Sequence, residues 1–271
     1  MRVRIISSLI LSPLFLIIVF LGGISLKIGV IFASLVGMYE FYKAFSKKIN
    51  HIHIIGFFFA LVYIIFIEKI IQRNLLNAFS SLFMIILLMY SVIFYKHDNI
   101  KEVIITFFGF YYVCFLISHI YLIRNFEYGT FFVWLPFISA WGCDTGAYFT
   151  GMSIGKHKLT PILSPKKTIE GSIGGILSAT LLSLIFAFVV KGNFNNNSNI
   201  ILIFVLSGFV GSIVSQIGDL AASAVKRYMD IKDFGHIIPG HGVILDRFDS
   251  VLFTAPIVYY FIIFLANYNF G

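Results

Sequence analysis

Apolar residues fill most of this chain in long runs that short polar connections separate. A helix needs about 20 mainly apolar residues to cross the hydrocarbon core of a bilayer. Runs of about this length lie near 5–22, 27–45, 52–67, 75–95, 103–123, 130–150, 171–190, 199–221 and 248–267. The pattern predicts an all-α, polytopic integral membrane protein with about nine transmembrane helices. We expect the first run to be retained, because it is too long for a signal peptide and lacks a small-residue cleavage site.

The composition agrees with this pattern. Of the 271 residues, 59% are hydrophobic and only 12% are charged, and the mean hydropathy is +0.95. Soluble domains carry about 25% charged residues, so the composition excludes a soluble globular protein. Cys114 and Cys143 lie in apolar runs without C-x-x-C spacing, which excludes a zinc ribbon and a dithiol redox motif.

Positive charge is distributed unevenly between the two sides that nine spans would define. With the N-terminus inside, 15 of the 20 Lys and Arg residues fall in inner segments. Lys and Arg are enriched in cytoplasmic loops. We therefore expect the N-terminus in the cytoplasm and the C-terminus outside.

The two halves of the chain differ in where their polar residues lie. Residues 1–123 hold five predicted spans with few ionisable groups in their centres, Glu40 being the main exception. In residues 124–271, polar and charged residues gather in and beside four spans. We predict an N-terminal region of apolar membrane helices, 1–123, and a C-terminal membrane region, 124–271, that carries the functional site, with cytoplasmic loops at 151–170 and 222–247.

Three C-terminal spans carry polar stripes that include a carboxylate. The stripe of the eighth span lies on one helical face and consists of Ser212, Ser215, Asp219, Ser223 and Lys226, with Gln216 beside it. The other two stripes are Asp246, Ser250 and Thr254 in the ninth span, with Asp249 one position off that line, and Asp144 and Tyr148 in the sixth. Such stripes can be interhelical hydrogen bonds or ion pairs, for example of Asp219 with Arg247. Ionisable residues within spans are costly, and three converging carboxylates favour a bound hard cation such as Mg²⁺.

A second cluster lies in the predicted loop between spans six and seven. Ser164 followed by Pro165 is typical of a helix start, with Ser as N-cap and Pro as the first helical residue. Lys166 and Lys167 would then lie in the first helical turn, where positive charge is unfavourable unless a polyanion docks there. The alternative is that these lysines contact lipid headgroups. For the glycines at 171, 174 and 175, close helix packing is an equal alternative to a role in this site.

Basic and acidic residues are interleaved in the predicted loop between spans eight and nine, residues 226–250. Its short length and the Pro239-Gly240 turn indicate a folded segment rather than a solvated run of charge. His236 and His241 are interpreted as hydrogen-bonded loop residues in preference to metal ligands. The sequence has no metalloprotease, serine hydrolase or P-loop motif.

These segments resemble one enzyme family. The run SAVKRYMDIKDFGHIIPGHGVILDRFD at 223–249 is similar to the signature of phosphatidate cytidylyltransferases, also called CDP-diacylglycerol synthases. AWGCDTGAYFTG at 140–151 and SPKKTIEGSIGG at 164–175 are similar to that family's other shared segments. Two positions depart from the family pattern, Ala222 in place of Glu and Val243 in place of Gly. The resemblance implies phospholipid biosynthesis by the reaction of CTP with phosphatidate to give CDP-diacylglycerol and diphosphate.

The resemblance also implies roles for individual residues. Those expected to be catalytic are Asp219, Asp246 and Lys167. Those expected to bind Mg²⁺ are Asp219 and Asp246, with Asp249 and Asp144 nearby, and a second, monovalent cation such as K⁺ is expected beside it. Those expected to bind CTP and its phosphates are Ser164, Lys166, Lys167, Thr168, Lys232 and His241. Those expected to bind phosphatidate are Ser223, Lys226, Arg227 and Arg247.

The expected partners are CTP, phosphatidate, membrane lipids and a second copy of the chain, with no nucleic acid. The resemblance implies a location in the cell membrane, of the bacterial inner-membrane type, with the active site facing the cytoplasm. One alternative is a CTP-dependent lipid kinase of the polyprenol or phytol type, which would release CDP instead of diphosphate. An ion-coupled membrane transporter is an alternative from a different class, because buried carboxylates also form ion pathways. Ala222 and Val243 leave open a third, a relative without activity that organises other lipid enzymes.

Overall fold

The computed structural model describes residues 13–46, 48–95, 100–194, 199–235 and 243–269, with side chains up to residue 264. Its helices are α1 (described over 13–21), α2 (Gly23–Ser46), α3 (His51–Gln72), α4 (Leu76–Ile93), α5 (Ile100–Gly109), α6 (Leu116–Arg124), α7 (Gly129–Phe132), α8 (Leu135–Ile154), α9 (Ile169–Val190), α10 (Ile200–Tyr228) and α11 (Leu245–Asn269). A π-helical segment (Phe110–Phe115) joins α5 to α6, and a 3₁₀ turn (Lys191–Asn193) extends α9. The strands are β1 (Lys158–Thr160) and β2 (Ser164–Thr168). Because 83% of the described residues are helical, the predicted all-α class is confirmed.

Seven helices in the described part of the chain are long and apolar enough to cross a membrane. They are Gly23–Ser46, His51–Gln72, Leu76–Ile93, Ile100–Arg124, Ile169–Asn193, Ile200–Tyr228 and Leu245–Phe264. They coincide with seven of the predicted spans, so the chain is a multi-pass membrane protein. The predicted first span lies partly outside the described residues. The predicted sixth span corresponds to α8, a helix of 20 residues that is not among the seven because glycines and polar side chains interrupt its apolar surface.

The chain forms two compact units, and each draws on two separate stretches of sequence. The first unit comprises Met1–Tyr121 and Ile231–Asp246, and the second comprises Leu122–Asp230 and Arg247–Gly271. Helix α11 therefore begins in the first unit with Leu245 and Asp246 and continues in the second. The predicted division into five-span and four-span regions after residue 123 stays a prediction.

Aromatic side chains and glycines pack the helices of the first unit together. The Tyr42 hydroxyl on α2 donates a hydrogen bond to the Thr106 carbonyl on α5 at 2.9 Å. Gly56 on α3 faces this hydroxyl so closely that a Cβ there would lie 2.6 Å from it. Small residues let membrane helices approach each other, since lipid tails provide little hydrophobic force for helix association. Glycine at 56 thus allows α3 to lie against the Tyr42 ring.

In the second unit, α8, α9 and α10 pack through glycines, which agrees with the packing alternative for the glycines of α9. A Cβ on Gly171 would lie 2.9 Å from the Ala147 carbonyl, and one on Gly175 would lie 2.7 Å from the Cys143 carbonyl. A Cβ on Gly174 would overlap the Thr150 side chain. These glycines bring the backbone of α9 against α8, as in small-residue interfaces of membrane helices.

The predicted start of α9 at Ser164 and Pro165 is wrong. Ser164–Thr168 forms strand β2, which pairs antiparallel with β1, and α9 begins at Ile169. The N-cap is Thr168, whose Oγ1 accepts a hydrogen bond from the Gly171 N–H at 3.1 Å. Pro165 is accommodated because a two-stranded ribbon has edge positions that need no N–H donor. Lys166 and Lys167 therefore lie on an extended strand before the helix, where the helix dipole opposes their charge less than in the first turn.

Candidate active site

Residues of α8, β1, β2, α9 and α10 line a cavity of about 400 Å³ in the second unit. This volume is in the range of sites for small molecules and cofactors. The polar and charged side chains of its wall are Asp144, Tyr148, Lys166, Lys167, Thr168, Ser172, Gln216 and Asp219. The cavity therefore places two ammonium groups and two carboxylates around one space.

Lys167 on β2 and Asp219 on α10 form an ion pair in the cavity wall. The two side chains are 27% and 24% exposed, respectively. An ion pair in contact with solvent can exchange partners more readily than a fully buried one, because separation of a buried pair leaves uncompensated charges in the protein interior. The predicted alternative partner of Asp219 was Arg247, and the structure gives Lys167 instead.

Two further carboxylates of the second unit interact electrostatically with Asp219. They belong to Asp144 on α8 and Asp249 on α11, which also interact with each other. Lys167 opposes the negative charge around Asp144, and Lys226 opposes it around Asp249. Three of the four predicted metal ligands thus lie within electrostatic range of one another.

The donor atoms of this carboxylate group suit a hard cation, since Mg²⁺ and Ca²⁺ prefer carboxylate oxygens. As the described side chains are arranged, however, no three His, Cys, Asp or Glu residues are close enough together to hold a metal ion. The Lys167 ammonium supplies the positive charge beside Asp219. A cation that binds Asp219 would therefore have to displace Lys167.

The fourth predicted ligand, Asp246, belongs to the first unit. It lies in the first turn of α11, and its Oδ2 accepts a hydrogen bond from the Phe234 N–H at 3.1 Å. Lys232 is an exposed residue of the same unit, whereas Arg247 belongs to the second unit. His236 and His241 lie outside the described residues.

Of the other predicted site residues, the structure brings Lys166, Lys167 and Thr168 to the cavity wall. Ser164 lies on the same strand but is not part of that wall. The remaining predicted contacts to phosphatidate lie near the C-terminal end of α10 and are Ser223, Lys226 and Arg227. Ala222, the position of the first departure from the family pattern, is fully buried on this helix. Val243, the second departure, belongs to the first unit and is buried with 2% exposure.

A hydrogen-bonded group on the cavity wall joins α8, α9 and α10. The Ser172 hydroxyl donates to Gln216 Oε1, and Gln216 Nε2 donates to the Ser172 carbonyl at 3.1 Å and to Cys143 Sγ at 3.4 Å. Gln216 thereby fixes α10 one helical turn before Asp219. Ser172 was not among the predicted site residues, although it lies in the first turn of α9, four positions after the predicted Thr168.

A second missed residue, Glu170, fixes the two-stranded ribbon. Its carboxylate accepts hydrogen bonds from the backbone N–H groups of Lys156 and His157, the first at 3.0 Å. It also contacts His157 Nδ1 at 2.6 Å. Glu170 thus ties the segment before β1 to the first turn of α9, and so holds the strand that carries Lys166 and Lys167.

Comparison with known proteins gives a consistent result over nearly the whole chain. A family model described as the cytidylyltransferase family matches residues 2–265. The phosphatidate cytidylyltransferase of Staphylococcus haemolyticus (strain JCSC1435) is 34% identical over 266 residues, which cover 95% of this chain and 97% of that protein. The phosphatidate cytidylyltransferases of Bacillus subtilis (strain 168) and Staphylococcus aureus (strain COL) are each 33% identical, over 96% and 95% of this chain, respectively, and 97% of their own lengths.

Proposed function

This chain belongs to the cytidylyltransferase family, and from that premise we propose that it converts CTP and phosphatidate to CDP-diacylglycerol and diphosphate. A phosphate monoester has a second pKa near 6 and is largely a dianion at pH 7. A phosphatidate oxygen can therefore attack the α-phosphorus of CTP without a general base. The new P–O bond joins the two phosphates, and the bond between the α-phosphorus and the bridging oxygen breaks to release diphosphate.

The observation that carries this proposal is the pairing of Lys167 with Asp219 in a cavity that Lys166 and Asp144 also line. Two phosphorylated reactants repel each other, so catalysis consists mainly of positioning them and neutralising their charge. Lys166, Lys167 and Thr168 supply an ammonium pair and a hydroxyl for the CTP phosphates and the leaving diphosphate. We assign Ser164, Lys232 and His241 to CTP binding on the family motif alone.

The carboxylates are assigned to a divalent cation. Asp219, Asp144 and Asp249 offer oxygen ligands that suit Mg²⁺. Asp246 joins this assignment because of its place in the Asp-Arg-x-Asp motif, and K⁺ is proposed as a second, monovalent ion. When bound, Mg²⁺ supplies charge neutralisation for the phosphates. The protein's own contribution at this point is the release of the Lys167 ammonium from Asp219 toward the CTP phosphates.

The phosphatidate headgroup is assigned to Ser223, Lys226, Arg227 and Arg247, with the acyl chains in lipid. We further propose nine spans with the N-terminus in the cytoplasm and the C-terminus outside, a topology in which the C-terminal ends of α8 and α10 would lie on the cytoplasmic side of the cell membrane, where CTP is. The inside-positive charge distribution supports this orientation. A homodimer remains part of the proposal.

Product analysis tests the proposal directly. The full-length protein, purified in detergent, is incubated with Mg²⁺, phosphatidate and CTP labelled at the α-phosphorus. We expect the label in a lipid, together with one diphosphate per labelled lipid. Lys167→Ala should lower this yield. Its matched control is Lys191→Ala, on the 3₁₀ turn after α9, which should leave the yield unchanged. Release of CDP with unlabelled lipid would instead indicate a lipid kinase, and ion flux without nucleotide consumption would indicate a transporter.

A further inference from the structure

Glu40 is a buried carboxylate in the interior of α2, with 1% of its surface exposed. Its two oxygens accept hydrogen bonds from backbone N–H groups, Oε1 from Ile244 at 3.1 Å and Oε2 from Leu245 at 2.9 Å. All three residues belong to the first unit. The carboxylate on α2 thus binds the start of α11, at residues that lie 204 and 205 positions later in the sequence.

This arrangement is a helix cap supplied from a distance. The first N–H groups of an α-helix have no partner within the helix, and a side chain at the N-cap usually accepts one of them. Ile244 precedes α11 and has no side-chain acceptor. The Glu40 carboxylate takes that place, and its negative charge is favourable beside the positive end of the helix dipole. Burial of a carboxylate is costly without such partners. The two N–H groups therefore stabilise Glu40 in the interior, and Glu40 stabilises the start of α11.

The cap lies directly beside Asp246, which follows Leu245 in the first turn of α11. Phe41, the next residue on α2, contacts the same region, since the centroids of its ring and the Phe234 ring lie 6.5 Å apart. The Phe234 N–H in turn donates to the Asp246 carboxylate at 3.1 Å. Helix α2 therefore holds the backbone on the N-terminal side of Asp246 and also the residue that donates to its side chain.

We propose that Glu40 is a positioning residue for Asp246, holding the first turn of α11 so that the Asp246 carboxylate is oriented to bind a divalent cation. This inference rests on the proposed function, in which Asp246 is a metal ligand. Glu40 acts only through the backbone of Ile244 and Leu245 and touches no substrate. A metal ligand whose own helix start frays must be reordered at each binding event, which lowers its effective affinity.

The test compares Glu40→Gln with Glu102→Gln in the full-length protein. Glu102 is a matched control, because it is another carboxylate of the first unit and its partners include Ser46 on α2 and His53 on α3. Hydrogen exchange at Ile244 and Leu245 reports the cap, and binding of Mn²⁺ followed by electron paramagnetic resonance reports the metal site. Glu40→Gln should speed exchange at these two amides about tenfold and weaken Mn²⁺ binding about tenfold, as loss of hydrogen bonds to a charged group predicts. Glu102→Gln should change neither.

Two results would overturn the positioning role. One is unchanged exchange at Ile244 and Leu245 in Glu40→Gln, and the other is faster exchange with unchanged Mn²⁺ binding. Glu40→Asp keeps the charge but shortens the side chain, and it should shift both quantities in the same direction by a smaller factor. If Glu40→Gln does not fold, this second variant decides the question. A wild-type protein that binds Mn²⁺ but makes no nucleotide-linked lipid would refute the proposed function and leave these two measurements interpretable.

Discussion

Lys167 and Asp219 are joined by an ion pair that connects strand β2 to helix α10. Both side chains line the same cavity, and Asp219 also interacts with the carboxylates of Asp144 and Asp249. The Lys167 ammonium balances part of the negative charge of these carboxylates. An anion that binds Lys167 would free Asp219 from the ion pair, and a cation that binds Asp219 would free Lys167. Each binding event would therefore favour the other.

Lys167→Ala should lower kcat/KM for CTP about 10- to 100-fold, the cost of losing a charge-assisted hydrogen bond to phosphate. The effect should exceed that of Lys191→Ala, which removes an equal charge outside the cavity. Steady-state kinetics at limiting CTP measure the difference. Unchanged kinetics for Lys167→Ala would contradict the phosphate role of this lysine.

Asp219→Ala and Asp246→Ala should each lower turnover by at least about 1,000-fold while membrane insertion stays intact, because several kcal/mol of charge stabilisation depend on the metal. Asp233→Ala removes an exposed carboxylate of the same part of the sequence and serves as the control. The measurement is turnover by purified protein, with gel filtration to verify folding. Near-normal turnover in either of the first two variants would reject the metal assignment.

Chelation of divalent cations should stop turnover, and added Mg²⁺ should restore it, since oxygen ligands of the kind offered by Asp144, Asp219 and Asp249 bind hard cations reversibly. The assay is formation of nucleotide-linked lipid after EDTA treatment, before and after Mg²⁺ is returned. Thermal unfolding recorded on the same samples separates loss of the ion from loss of the fold. Full activity in excess EDTA would show that the reaction needs no divalent ion.

Gly175→Ala should destabilise the second unit by about 1–3 kcal/mol, the usual cost of overpacking. The added Cβ would lie 2.7 Å from the Cys143 carbonyl, a backbone atom that cannot rotate away. Gly192→Ala is the matched control, because no atom lies within 4 Å of its added Cβ. Thermal denaturation of the two purified variants makes the comparison, and equal melting temperatures would contradict the tight contact between α8 and α9.

Glu170→Gln should raise KM for CTP about threefold to tenfold, because weaker hydrogen bonds to the segment before β1 loosen the strand that carries the lysines. Its kcat should change less than its KM, since Glu170 lies outside the cavity wall. Glu127→Gln, at an exposed carboxylate in the loop before α7, should leave both constants unchanged. An unaltered KM in Glu170→Gln would show that the ribbon keeps its position without this contact.

Helical periodicity was sufficient to predict much of the cavity wall. Spacings of three and four put Asp219 on one face of the eighth span with Gln216 beside it, and α10 brings both to the cavity. The same rule placed Asp144 and Tyr148 together on α8. It worked because a continuous membrane helix hydrogen-bonds its own backbone, so local sequence alone decides which residues share a face.

The two-stranded ribbon of β1 and β2 and the N-cap of α9 could not be predicted from helical periodicity. Ser164 and Thr168 both offer a hydroxyl that can cap a helix, and the choice between them depends on contacts from outside the segment. Glu170 bonds to the backbone of residues 13 and 14 positions earlier, and Gly155 and Gly171 both approach Thr168. The partners of Glu40 lie still farther away in sequence. Such contacts have no periodic signal, because they join elements whose spacing along the chain is arbitrary.

The cap that Glu40 provides to α11 also has a consequence during synthesis. The ribosome adds about 5–20 residues per second, so the 205 positions between Glu40 and Leu245 take roughly 10–40 s to make. For that interval the carboxylate is part of a nascent helix whose eventual amide partners do not yet exist. Insertion of α2 must therefore be completed with a temporary partner for Glu40, such as water or the insertion machinery, and the start of α11 replaces that partner once it has been made.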